Sequence, residues 1–388
     1  MLLIKNGRIL TMTDQDYEQG DILIEGTKII EVGEDIFPPE GTEIIDAKGT
    51  YVTPGFIDAH CHLGMWEDGI GFEGADGNED TDPITPQLSA IDAINPFDPC
   101  FKEAYEHGIT TAVTGPGSAN VIGGQFVALK TYGRRVEEMI FKSPVAMKIA
   151  LGENPKRVYD EKNQSPTTRM ATAALLREHL RKAQEYQQNK LDAQEDEELD
   201  KPEYDIKLEA LAQVLDGKLP VKAHAHRADD ILTAIRIAKE FNLKMTIEHC
   251  TEGHLIADIL KEEGYAPILG PLFSDRSKVE LKNMSMKAPG QLAKVGIPFA
   301  MMTDHPVIPI QYLPVVAALS VREGLDEMEA LKSISLYAAQ IVGIDDRVGS
   351  IEKGKDADIV LWTGHPFDYM TRTEKVLVNG KVVYDASL

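Results

Sequence analysis

A series of short apolar runs, several of them ending in histidine or aspartate, constrains this chain more than any other feature. Residues 109–113, 145–150, 221–223, 244–248, 266–269 and 298–302 each read as a buried strand. Segments of helical periodicity separate several of them. Ile231, Ile235 and Ala238 recur on one helical face behind Asp229, a candidate cap. Ser165-Pro166 reads as a cap and first-turn proline ahead of Leu176, Leu180 and Ala183. Strands alternating with helices over this length predict an α/β fold with a parallel sheet and right-handed crossovers, most simply a (β/α)8 barrel. Residues 55–59 and 125–130 bring the strand count to eight, although no helical pattern separates 109–113 from 125–130.

The two ends read differently. Residues 2–4 run into the turn Asn6-Gly7, and residues 22–24 run through Glu25-Gly26 into 28–33. Near the other end, 376–378 and 381–384 meet at Asn379-Gly380, a strong hairpin signal. Residues 1–50 plus 350–388 are therefore expected to form one small β-sandwich, and residues 51–349 the barrel.

The histidines cluster at predicted strand ends. His60 and His62 close the run 54–62, and His224 and His226 follow 219–223. His249 ends 244–248, and Asp304 with His305 follows 297–303. Alternation along a strand places residues two apart on one face. In a parallel barrel the C-terminal strand ends converge where barrel active sites sit. A lone buried histidine is ordinarily a hydrogen-bonded core residue. Five at strand ends, with an aspartate, favour a shared site for a Zn²⁺-like ion.

Lys148 lies inside the apolar run 145–150, where desolvation disfavours an ammonium. Carboxylated by CO2, it would offer two oxygens able to bridge two ions. Pairing with a nearby carboxylate is the alternative, and Glu153 is a rival bridging ligand.

Composition narrows the partners. Sixty-three acidic against forty basic residues give a formal charge of −23, which argues against nucleic acid and against an anionic membrane surface. Cys61, Cys100 and Cys250 are too few for a disulfide framework. The N-terminus has no apolar signal-type core, and no stretch approaches the length of a membrane span. A cytoplasmic protein with a small-molecule substrate is the default expectation, and a homo-oligomer is left open. Residues 66–82 carry seven acidic residues and no basic one, as a solvated loop or an active-site lid. Residues 192–205 carry eight acidic residues and one lysine, as a solvated segment.

The segment Val52-Thr53-Pro54-Gly55-Phe56-Ile57-Asp58-Ala59-His60-Cys61-His62 resembles the first-strand motif of the amidohydrolase superfamily, in its imidazolonepropionase-related branch. Residues 349–360, from Gly349-Ser350-Ile351 to Asp358-Ile359-Val360, are similar to that family's return to its sandwich. The resemblance spans nearly the whole chain and implies a distorted (β/α)8 barrel plus a β-sandwich. It further implies that His60, His62 and Asp304 bind one divalent metal, zinc foremost, and that His224 and His249 bind a second. Lys148 is then the carboxylated bridge.

Asp304 would also handle the proton of the attacking water. His226 would be a catalytic, substrate-facing group, and His226 or His305 would steady the oxyanion. Arg276, with Lys278 near it, is a candidate clamp for a substrate carboxylate, and Asn120 a candidate pocket residue. Anionic substrates would be repelled by residues 66–82 unless Arg276 or Lys278 compensates. The run His224-Ala225-His226-Arg227-Ala228 lacks the acidic residue that deaminases and imidazolonepropionases usually carry there. That favours a binuclear amidase or peptidase over a mononuclear deaminase or ring hydrolase.

Overall fold

The computed structural model describes residues 1–68 and 71–388. Its central sheet has eight strands in sequential order: β1 (Phe56–Cys61), β2 (Ile109–Thr114), β3 (Ile122–Lys130), β4 (Ile140–Ala150), β5 (Val221–Ala225), β6 (Met245–His249), β7 (Ala266–Leu269) and β8 (Ala300–Met301). Paired neighbours run parallel except around β3, which is antiparallel to both β2 and β4. This corrects the all-parallel expectation. An antiparallel neighbour needs no crossover, so a short loop suffices where the sequence offers no helix.

β1 and β8 approach without a ladder, and a backbone hydrogen bond together with the Asp58 side chain stitches the seam. The backbone N–H of His62 donates to the carbonyl of His305 at 2.9 Å. The Asp58 carboxylate accepts from the Thr303 backbone at 3.2 Å and from its hydroxyl at 2.5 Å. Burial pushes the Asp58 carboxyl up to about 7, against the pull of those hydrogen bonds.

Both chain ends build the second sheet. Its order is Lys381–Asp385, Thr373–Val378, Ile359–Trp362, Tyr51–Pro54, Leu2–Ile9, Tyr17–Glu25 and Lys28–Gly33, with Glu43–Asp46 beside Leu2–Ile9. Ile4, Ile22, Val52, Ile359 and Leu377 form part of its own core. Residues 51–54 therefore pair in the terminal sheet, and the chain enters the barrel through Gly55. A Cβ there would lie 2.0 Å from the Thr110 hydroxyl oxygen, so only glycine fits. Polar contacts tie the two sheets together. Lys130 Nζ lies 3.0 Å from Asp356 and 2.6 Å from Asp358, and the Arg347 guanidinium also grips Asp356.

The long crossover from β4 to β5 is helical: Glu153–Asp160, Arg169–Glu195 and Ile206–Leu215. Leu176, Leu180 and Ala183 form the expected buried stripe. The cap is Thr168 rather than Ser165, because the Thr168 hydroxyl accepts from the Ala171 N–H. Similarly, helix Ala228–Phe241 begins after Arg227. Asp229 lies in its first turn with both carboxylate oxygens held by the Arg227 guanidinium, and so cannot cap. Among the described residues no helix is long and apolar enough to cross a membrane.

Candidate metal centre

The strand ends bring two donor groups together. His60, His62 and Asp304 form one, and His224, His226 and His249 the other. His62 Nε2 lies 3.3 Å and His60 Nε2 3.8 Å from Asp304 Oδ1. Lys148 Nζ sits 3.1 Å from His60 Nε2. In the second group, the His249 ring centroid is 4.3 Å from those of both His224 and His226, stacked on the latter.

The ring orientations have local causes. His62 Nδ1 lies 2.7 Å from the Gly115 carbonyl and His249 Nδ1 2.8 Å from the Gly270 carbonyl. A carbonyl only accepts, so each Nδ1 carries a proton, which leaves each Nε2 as the nitrogen turned towards its donor group. His226 Nδ1 is anchored on the Thr251 hydroxyl at 2.7 Å. His249 and Asp304 both have left-handed backbone, φ 69° and 55°. Such non-glycine strain costs about 1–3 kcal/mol per residue and persists where surrounding structure enforces it.

The electrostatics suit a cation. Burial, with the nearby lysine ammoniums and neighbouring imidazoles added, holds His60, His224, His226 and His249 well below the usual imidazole range. These four rings are therefore neutral at pH 7, the form a metal requires. Burial also brings Lys148 down to about 8, although Glu248 and Asp304 pull the other way. Asp304 Oδ1 and His224 Nδ1 are buried without any hydrogen-bond partner. Neutral imidazole nitrogens and an orphaned carboxylate oxygen, gathered at one place, fit a divalent ion.

Three groups escaped the sequence reading. Glu248 is fully buried, with Oε2 2.7 Å from His60 Nδ1 and in an ion pair with Lys222 Nζ at 3.1 Å. Lys222 also donates to the Ala59 carbonyl at 3.1 Å. Glu280, 1% exposed, lies 3.9 Å from His224 Nε2 and 3.8 Å from His226 Nε2. Lys222 did carry a signal, since it shares strand alternation with His224 and His226. Glu248 did not, because neighbours on a strand face opposite ways and the φ of His249 breaks that rule. Glu280 lies in an aperiodic loop.

The outer candidates spread out. Arg276 is exposed and donates to the Met284 carbonyl at 3.1 Å. Lys278 comes nearer the histidines, donating to Asn154 Oδ1 at 2.7 Å. The Asn120 amide donates to the Glu79 carbonyl (2.5 Å) and the Thr85 hydroxyl (2.8 Å), and its oxygen accepts from Tyr159 (2.6 Å). His305 Nδ1 accepts from the Ile310 N–H at 3.3 Å, so its buried Nε2 carries a proton with no acceptor. Burial lowers that imidazole to about 4. Neither the Glu153 nor the Glu280 carboxylate belongs to the two three-residue donor groups, but Glu280 Oε1 comes within 3.9 Å of His224 and His226 whereas Glu153 meets Glu280 through its backbone N–H at 3.1 Å.

The acidic segment 66–82, whose Gly69 and Ile70 lie outside the described residues, is strapped to the loop after β2. Gly117 N–H donates to the Gly77 carbonyl at 2.8 Å, and Ala119 N–H to Asn78 Oδ1 at 3.2 Å. Its Trp66 packs edge-on against His62 with centroids 4.9 Å apart.

An eight-stranded barrel with nitrogen and oxygen donors gathered at its C-terminal strand ends defines the class of protein, an α/β barrel with a candidate metal site. The amidohydrolase family model matches residues 51–383, and the chain belongs to that family. It is 31% identical to the amidohydrolase tasK of Hapsidospora irregularis over 94% of this chain and 40% of that protein. It is 26% identical to an adenine deaminase of Bacillus velezensis over 99% of this chain and 59% of that one. The chain thus spans about half the length of these relatives. A solved amidohydrolase structure from Thermotoga maritima MSB8 is 44% identical, with a TM-score of 0.96 over 99% of this chain and 100% of that one.

Proposed function

We propose that the protein hydrolyses a carbon–nitrogen bond in an amide, a cyclic amide or a small peptide, with two divalent ions, zinc foremost. The observation that carries this reading is the convergence of two buried donor groups beside Lys148. His60, His62 and Asp304 would hold one ion, and His224 with His249 the other. Lys148, carboxylated by CO2, would bridge them. When bound, such ions supply Lewis acidity, which brings the pKa of water towards about 7 and polarises a carbonyl.

The chain's own groups divide the remaining work. Asp304, with Oδ1 free of hydrogen bonds and its side chain 13% exposed, takes the proton of the attacking water. It returns that proton to the nitrogen as the carbon–nitrogen bond breaks, leaving an acid and an amine. The unpartnered Nε2–H of His305 offers a donor for the developing oxyanion. The acidic segment 66–82 disfavours strongly anionic substrates, and Lys278 is the cation placed to offset it.

Metal analysis with a turnover assay on an amide and dipeptide panel tests this. About two equivalents per chain, CO2-dependent activity, and loss of both with Lys148→Ala are expected. Asp304→Asn should lower turnover about 10²- to 10⁴-fold. One equivalent per chain, with Lys148→Ala unchanged in metal and turnover, overturns the two-ion reading.

A further inference from the structure

We propose that Glu280 is a carboxylate donor to the second ion, so that this site comprises the imidazoles of His224, His226 and His249 and one carboxylate from the loop after β7. The inference rests on the two-ion reading above and adds to it a ligand from outside the barrel strands.

Glu280 sits in the single turn Val279–Leu281. Its Oε2 accepts from the Glu153 N–H at 3.1 Å, which fixes the carboxylate in place. Gly152 lies directly against it, and a Cβ there would stand 3.1 Å from Oε2 and 3.0 Å from Asp230. Oε1 is buried and has no hydrogen-bond partner. It faces His224 Nε2 at 3.9 Å and His226 Nε2 at 3.8 Å. Lys278 Nζ is 3.9 Å away, beyond hydrogen-bond reach, and already donates to Asn154.

A buried carboxylate oxygen that faces two imidazole nitrogens and has no hydrogen-bond partner is poorly compensated. A divalent cation between them would compensate it. With the Lys148 bridge the second ion has five donors, and metal–ligand bonds of about 2.0–2.2 Å place adjacent ones about 3.0–3.5 Å apart, so the separations of Oε1 from His224 Nε2 and His226 Nε2 need to close by less than about an ångström. The arrangement also gives His226 a place as a ligand beside His249.

The experiment titrates the chelator-stripped full-length protein with Co²⁺ in bicarbonate buffer. It reads stoichiometry and site affinities by competition with a chromophoric chelator, together with the cobalt absorption spectrum. Wild type should bind two equivalents. Glu280→Gln should keep one site and weaken the other at least about ten-fold, with changed cobalt bands. His226→Ala should weaken that same site. If wild type binds two ions and Glu280→Gln binds both unchanged, Glu280 is merely the ion-pair partner of Lys278 and the proposal falls. If wild type binds one ion, the two-ion reading itself falls. Should Glu280→Gln fail to fold, Glu280→Asp decides. It keeps the charge but withdraws the oxygens, so weakened binding at one site supports the assignment and unchanged binding overturns it.

Discussion

Replacing Glu248 by Gln tests the charge arrangement beneath the donor groups. Glu248 Oε2 contacts His60 Nδ1 at 2.7 Å and Lys222 Nζ at 3.1 Å, and all three side chains are 3% exposed or less. Glu248→Gln leaves the Lys222 ammonium buried, with the Ala59 carbonyl its remaining hydrogen-bond partner. Breaking a buried pair by removing one member costs about 3–5 kcal/mol, whereas replacing both members with apolar groups is often neutral. We expect Glu248→Gln to lose about 3 kcal/mol at pH 7 and Glu248→Gln/Lys222→Met to recover most of it.

The loss should shrink as pH rises. Burial already lowers the Lys222 pKa below 10.5, and without Glu248 it falls further. The unfolded state then binds more protons than the folded one, so stability increases with pH until the unfolded lysine titrates near 10.5. Urea unfolding of the chelator-stripped protein at pH 7 and pH 9 measures this. A single-variant loss under about 1 kcal/mol, or losses that simply add in the double variant, would refute the reasoning. Because Glu248 also orients His60, metal affinity in Glu248→Gln should fall about 10- to 100-fold.

Other positions give independent checks. Burial alone would raise the Asp356 carboxyl, but Arg347, Lys130 and Lys28 hold it at about 2. Its contribution of about 2 kcal/mol is complete above pH 3.8 and lost as pH falls towards 2, so Asp356→Asn should flatten acid unfolding across that window. Phe126 is fully buried, with its ring 5.0 Å from that of His60, and Phe126→Ala should cost about 3–5 kcal/mol in urea unfolding. A Cβ on Gly77 would lie 2.1 Å from the Trp66 indole. Gly77→Ala should therefore red-shift Trp66 emission in a Trp362→Phe background and speed proteolysis within residues 66–82. An unchanged spectrum would show that the strap does not pack against the indole.

The alternation of apolar runs with helical patterns was enough to read the barrel, its eight strands and a terminal sheet made from both ends. That information is local, because period-2 and period-3.6 burial are written in neighbouring residues. The same alternation placed His60 with His62 and His224 with His226. The direction of β3 was not legible, since a buried strand reads alike in either sense. Nor were the helix starts at Thr168 and Arg227, where the Thr168 hydroxyl accepts from the Ala171 N–H and the distant Glu252 carboxylate accepts from the Ala228 N–H.

What only the tertiary structure decided is which charges meet. Glu248, Lys222 and His60 come from three strands, and Glu280 reaches His224 and His226 from a loop some fifty residues further along the chain. No sequence spacing encodes such contacts. They arise because barrel closure brings the strand ends to one place, where burial makes each unpaired charge costly enough to require a partner.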